Sequence, residues 1–305
     1  MDADDRGCDN VRVPPPLRVL LAAALFATGG ALLKACDFPS LQRAGTRAAI
    51  AAITIFLLLP AARRLPNARI LRLVPPYFGS TCLFVVANSL TTAANAIFLQ
   101  SAAPLWLVLL GPWLLKETPT RRDLWTLLFV GIGMTLFFVA PANTAATAPD
   151  PRLGDLVAIA SGASWAMLLL GLRWLARTGH DEAPAAIAWG NALTCPIAFA
   201  LMPVFDQTPI GGSAQDWVVI AVLGTLQVGL AYALLVRGLA GVPAVRASLL
   251  LMIEPALNPT IAFFVHGERP HALAIAGGVL IVGAVAANSV FARNRSRPPT
   301  QQPTQ

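Results

Sequence analysis

Charge is scarce in this chain: 12% of its 305 residues are Asp, Glu, Lys or Arg, against 56% hydrophobic. So little charge excludes an ordinary water-soluble domain. Cysteine is thin as well, and Cys8, Cys36, Cys82 and Cys195 show neither CxxC spacing nor a pairing pattern. Neither a disulfide framework nor a cysteine metal site is expected. The three histidines, His180, His266 and His271, fall at loops or span ends and form no HExxH; there is no DDxxD-like cluster and no Walker A pattern. No metal, no cofactor and no direct ATP drive are expected. The N-terminal MDADDRGCDNVRVPPP carries acids and prolines and lacks the layout of a cleavable signal peptide. The net charge of +7 does not point to nucleic acid, because the basic residues flank apolar runs, where membrane orientation explains them.

What is abundant is uncharged apolar sequence in runs of about 15 to 25 residues, the length that crosses a hydrocarbon core about 30 Å thick. The reading is an all-α integral membrane protein, with spans expected near 17–35, 44–62, 74–90, 93–115, 123–140, 155–172, 184–203, 217–238, 247–265 and 272–292. No charge occurs from Leu73 to Leu115, and as one helix that run would be roughly 64 Å long. It must fold back, and the polar NSLTT (88–92) is the expected turn. With ten spans both termini share a side, which receives 17 of the 22 lysines and arginines; Lys34, Arg43, Arg47, Arg152 and Arg269 fall opposite. That asymmetry predicts cytoplasmic termini in a plasma or inner membrane. Residues 1–16 and 293–305 read as disordered cytoplasmic tails.

Two stretches repeat. In QSAAPLWLVLLGPWLLKETP (100–119) and LMIEPALNPTIAFFVHGERP (251–270), Pro104 and Pro255 align, each followed by Glu at +13 (Glu117, Glu268) and Pro at +15 (Pro119, Pro270). Upstream, FATGGALLK (26–34) matches WAMLLLGLR (165–173), an aromatic and then a cation eight residues on. The chain therefore reads as two five-helix units, 17–140 and 155–292. Five is odd, so the second enters the membrane from the opposite side, and the units are inverted repeats.

The pattern of ANSLTTAANAIFLQSAAPLWLVLLGPWLLKETPTRRD, of GDLVAIASGASWA and of LLLMIEPALNPTIAFFVHGERPHALAIAGGVLIVGA resembles EamA-type permeases of the drug/metabolite transporter superfamily. The resemblance covers nearly all the chain between the tails. It implies ten helices, cytoplasmic termini and export or exchange of small metabolites such as amino acids. One departure is that Ala103 stands where the second unit has Glu254, so only one half supplies a carboxylate.

Glu254 lies about eight residues, roughly 12 Å, into its span, near the membrane midplane. An acid at that depth is costly unless protonated, paired or wetted, and by default marks a functional site; the alternative is a protonated tie between helices. Asn258, four residues on, shares its helix face. Pro255 and Pro259 leave the carbonyls of Leu251 and Pro255 without helix donors, and Pro104 and Pro112 do the same to Gln100 and Val108 in the first unit. Gln100, Asn95 and Gln227 are further polar candidates, each as readily a packing residue; by helical periodicity Asn95 and Gln100 point different ways. Arg47 must be included in the second helix for it to span, and Lys34 ends the first; both are expected to snorkel to headgroups, or else to form an outward basic mouth. Trp165 and Trp106 read as aromatic walls or, more commonly, as packing. Gly29, Gly30, Gly131, Gly133, Gly277 and Gly278 read as close helix contacts, and Glu117 and Glu268 as interfacial charges.

These features predict a secondary transporter working by alternating access, with proton coupling, whose partners are a small-molecule substrate and the bilayer. An intramembrane enzyme lacks a nucleophile or metal constellation, so no enzyme activity is expected; a passive channel is the other alternative. A homodimer is not inferable from the sequence.

Overall fold

The computed structural model describes residues 13–103, 105–106, 109–110, 121–140, 147–177, 182–205, 210–239, 250–251 and 253–295. Pro104, Pro112, Glu117 and most of both tails lie outside them.

The helices start and stop where backbone chemistry requires. α1 (Pro15–Ala27) opens on prolines, which need no N–H partner in a first turn, and α2 (Gly29–Lys34) follows after Thr28 alone. The Thr28 hydroxyl donates to the Leu25 carbonyl at 2.7 Å at this joint. α3 (Ser40–Leu58) begins after Pro39 and stops before Pro60, four residues earlier at each end than the expected 44–62, so Arg43 and Arg47 lie well inside it. α4 (Ala68–Leu71) is capped by Asn67, whose side chain accepts from the amides of Arg69 and Ile70, both at 3.0 Å. α5 (Val74–Leu90) ends in the expected NSLTT turn: Thr91 is extended, and Thr92 caps α6 (Ala93–Gln100) by accepting from the Asn95 amide.

α7 (Arg121–Val139), α8 (Pro151–Arg177) and α9 (Ala183–Phe205) follow. α10 (Ala214–Val222), opened by a Ser213–Asp216 capping box, then passes through a π-helical stretch (Leu223–Leu230) into α11 (Ala231–Leu239). α12 (Ile253–His266) and α13 (Ala272–Arg295) complete the described residues. Among those residues, six helical stretches are long and apolar enough to cross a membrane: Pro15–Lys34, Ser40–Leu58, Ala68–Leu90, Pro151–Leu172, Ala183–Phe205 and Ala214–Gly238; Leu124–Val139 and Ala272–Ala284 are shorter apolar helices. Large apolar side chains such as Ile53, Leu57, Phe129, Val218, Phe264 and Val279 are exposed, as lipid-facing positions must be.

The longest packings run α5 on α8, α3 on α9 and α7 on α13, with α1 on α11, α6 on α8, α12 on α1, and α3 against the π stretch. The α7–α13 contact depends on two glycines, since a Cβ on Gly277 would lie 2.5 Å from the Gly133 carbonyl oxygen and one on Gly133 2.8 Å from that of Gly277. Gly131, expected at such a contact, faces open space.

Polar contacts gather at the two ends of the bundle. At one end Lys34 Nζ lies 3.1 Å from Glu268 Oε1 with both side chains buried, and it also donates to the carbonyls of Thr91 and Thr147. Glu268 accepts from the Ala93 amide at 2.9 Å as well. At this same end Asp216 accepts from the Asp37 amide, and Asp155 from Thr91 and Asn95. At the other end Glu182 takes Arg69 at 3.0 Å and Asn67 at 2.7 Å, and Arg237 donates to the Leu58 carbonyl.

Three apolar clusters fill the body: the first includes Leu33, Phe38, Ala44, Phe84, Leu99 and Ile220, the second Ile55, Leu59, Ile70, Leu168 and Ala185, and a smaller third Val19, Ala22 and Leu235. Along α3 the first holds Ala44 and the second Ile55. Arg47 lies between them.

Candidate functional site

Arg47 is 4% exposed, in the middle of a helix between apolar clusters. It does not snorkel. Its Nη1 is 3.5 Å from Gln227 Oε1, its Nε has no hydrogen-bond partner, and no carboxylate pairs with it among the described residues. Tyr77, Cys82 and Tyr232 lie near the guanidinium. The rings of Tyr77 and Tyr232 are 6.4 Å apart, and Phe26 packs edge-on against Tyr232 at 5.1 Å. Tyr77 also faces Thr81 and Asn191.

Gln227 reaches this point because its helix is wound as a π-helix over Leu223–Leu230, a departure from α geometry often found at functional sites. Close approach helps. The π stretch presents Gly224 and Gly229 to α3, where a Cβ on either would collide with Ile50 or Thr54. The Gln227 amide donates to the Phe26 carbonyl at 3.4 Å, beside the Thr28 joint. Gly29 and Gly30 leave room for two amides: a Cβ there would meet Gln227 Nε2 at 2.7 Å and Asn258 Oδ1 at 2.6 Å, respectively. The sequence reading of these glycines as helix contacts is thus sharpened, for what they admit is polar.

Asn258 is 1% exposed, yet neither its Oδ1 nor its Nδ2 has a partner. Leaving a buried amide unpaired costs about 1–3 kcal/mol, so the arrangement suits a group that arrives later. Glu254, one turn earlier on α12, is half-buried, lies within electrostatic reach of Tyr232, and makes no hydrogen bond or ion pair with any described residue. Pro259 lies inside α12, and Leu250 and Leu251, ahead of Pro255, are helical as well.

The other candidates lie elsewhere. Asn95 donates to Asp155 Oδ1 at 3.0 Å, on the wall of a cavity of about 130 Å³ lined also by Arg152, Phe137, Arg269 and His271. Gln100 donates to Ser161, which in turn donates to the Ser80 carbonyl, tying α6, α8 and α5 together. Trp165 packs beside the apolar cluster that contains Tyr77, and the Trp106 indole N–H is buried without a partner. Lys34 belongs to the end network, its ammonium turned to Glu268 and to the carbonyls of Thr91 and Thr147. Glu268 is its buried partner.

Sequence reasoning missed Tyr77, Tyr232 and Asn191. A signal existed, because the chain has only two tyrosines and both are here.

Membrane-length apolar helices packed around a buried polar cluster define a multi-pass membrane protein with a polar centre suited to passing a solute. The chain belongs to the EamA-like transporter family, whose model matches residues 16–139 and again residues 152–290. It is a transporter of the cell membrane and not an enzyme. Among its relatives, the pseudopaline exporter CntI of Pseudomonas aeruginosa is 26% identical over 90% of this chain and 95% of its own length. The uncharacterized transporter YyaM of Bacillus subtilis is 23% identical over 70% of each chain. A solved crystal structure superposes with a TM-score of 0.63 at 19% identity, covering 93% of this chain and 99% of that one, which bears on the fold alone.

Proposed function

We propose that this protein is a secondary transporter that exports or exchanges small polar metabolites, amino acids among them, by alternating access, with a proton carried on Glu254. The observation that carries the reading is the buried cluster of Arg47, Gln227 and Asn258, to which helices from both units contribute and which leaves polar atoms of Arg47 and Asn258 unpaired among the described residues. Glu254 is the acid within reach of it.

The architecture we propose is ten spans in two inverted units, 17–140 and 155–292, with both termini cytoplasmic. Three observations support it. The family model matches twice, in nearly those ranges. The helix packings map onto themselves when the units are exchanged: α5 on α8 becomes α11 on α1, α6 on α8 becomes α12 on α1, and the α3–α9 and α7–α13 pairs become themselves. Polar contacts at each end join only loops that ten alternating spans would put on one side, as with Lys34, Thr91, Thr147 and Glu268. Export as the direction follows the relative named an exporter.

The test is Glu254→Gln, which keeps the size and hydrogen bonding of the protonated acid and removes the titrating group. The variant is expected to reach the membrane and to lose the dependence of transport on a pH gradient. Gradient-driven transport at the original rate by the variant in proteoliposomes would remove the proton from Glu254.

A further inference from the structure

We propose that Arg47 is the receptor for a carboxylate on the transported molecule, so that this transporter selects small monocarboxylates, zwitterionic amino acids included, over amines, alcohols and amides of the same shape. The inference rests on reading the buried cluster as the substrate site and goes on to assign a chemical class to it.

The argument is one of charge and donors. A guanidinium carries a permanent charge and a planar fork of N–H donors matched to a carboxylate, and burial makes it costly unless its charge is answered. Arg47 is 96% buried by its 4% exposure, its Nε donates to nothing, and its one described hydrogen bond is a long contact, 3.5 Å, to a neutral amide. Among the described residues, no anion answers it. Beside the fork the chain places the Gln227 amide, the phenols of Tyr77 and Tyr232, and Cys82, neutral groups that can adjust to an incoming ligand, while a second cation, Arg43, lies one turn earlier on α3.

Arg43 is engaged with the carbonyls of Leu33 and Phe38, so the one guanidinium of Arg47 is left to favour a single negative charge. A phosphate dianion would be left half neutralised, and Glu254, within electrostatic reach of Tyr232, would repel it when ionised. The same Glu254 supplies a negative charge for an ammonium group of the kind an α-amino acid carries beside its carboxylate. The unpaired amide of Asn258, 1% exposed, seated against Gly30 and one turn from Glu254 on α12, supplies a further donor and acceptor. An alcohol or amide in place of the carboxylate would leave Arg47 unanswered, and sites built around such a group reject the analogue that lacks it.

Binding to the purified full-length protein, read as thermal protection in detergent with no ion gradient, tests this. The probes are the twenty proteinogenic amino acids, propionate, n-propylamine, and alaninol and alaninamide as carboxyl-lacking analogues of L-alanine. At least one amino acid or propionate is expected to protect, and the carboxyl-lacking probes are not. Arg47→Gln is expected to weaken the protecting ligand by about 10- to 100-fold, the worth of a hydrogen bond to a charged group. Arg47→Lys, which keeps the charge but not the fork, should recover part of that affinity and guards against reading misfolding as lost binding. Protection by alaninol or n-propylamine equal to that by the amino acids, undiminished binding by Arg47→Gln, or no protection by any carboxylate would each overturn the proposal. The two readings fail separately: carboxylate binding through Arg47 without gradient-driven transport would remove only the proposed coupling, and coupled transport by a wild-type protein indifferent to carboxylates would remove only this assignment.

Discussion

At the scale of single residues, the cations in this chain have two different fates. Lys34 and Glu268 are 4% and 3% exposed at the side chain and answer each other at 3.1 Å, whereas Arg47 is as deeply buried and has no acid beside it among the described residues. Breaking a buried pair by removing one partner leaves an uncompensated charge and costs about 3–5 kcal/mol. Lys34→Met is therefore expected to lower the thermal stability of the purified protein markedly. The double variant Lys34→Met/Glu268→Met should regain most of the loss, because no charge is then stranded. Equal melting temperatures for Lys34→Met and wild type would show the pair to be solvated and unimportant. Arg47→Gln should be far milder, since the wild-type residue is itself poorly partnered, and a neutral amide removes a buried charge.

At the scale of elements, helix contacts in this chain are set by what glycine leaves out. The α7–α13 pair brings two backbones together at Gly133 and Gly277, where a Cβ on Gly277 would stand 2.5 Å from a carbonyl oxygen that cannot swing away as a side chain could. Gly277→Ala should separate the two helices and destabilise the protein by about 1–3 kcal/mol, the usual cost of overpacking. Gly131→Ala, on the same helix in open space, is the control and should be neutral or slightly stabilising. Thermal unfolding of the two variants side by side decides the matter, and equal effects would remove the backbone contact as the reason. The π stretch obeys the same logic from the other direction, since extra width in the helix and two glycines facing α3 bring Gln227 to Arg47.

At the scale of the whole molecule, the ten-span reading makes one demand that labelling can meet. In a background free of native cysteines, His180→Cys should react with a membrane-impermeant maleimide only after the cells are opened, and Ile210→Cys in intact cells, because the two positions fall on opposite sides if the basic loops face the cytoplasm. Labelling of both on the same side would sink the proposed orientation and the inverted repeat with it. Ion pairs join the helices at both ends of the bundle, Lys34–Glu268 at one and Arg69–Glu182 at the other.

The sequence by itself determined that the chain is a helical membrane protein and where the long apolar run turns back, because those are one-dimensional quantities. A charge-free run has a length to compare with a hydrocarbon core, and a polar cluster such as Asn88 to Thr92 interrupts it wherever it stands in the chain. Single candidate residues were legible for the same reason: Glu254, Asn258, Arg47 and Gln227 are conspicuous against their apolar neighbours. Which of them meet was not. Arg47 and Gln227 are 180 residues apart in sequence, and their contact depends on a π-helical stretch whose residues read as an ordinary apolar helix. The expectation that Lys34 and Arg47 would both reach the headgroups followed from their distance to the ends of their runs, but the partner of Lys34 lies in a distant loop, and α3 began earlier than its charges suggested. Only the packing of helices decided these points, because burial and pairing belong to the space between elements and leave no period in the chain.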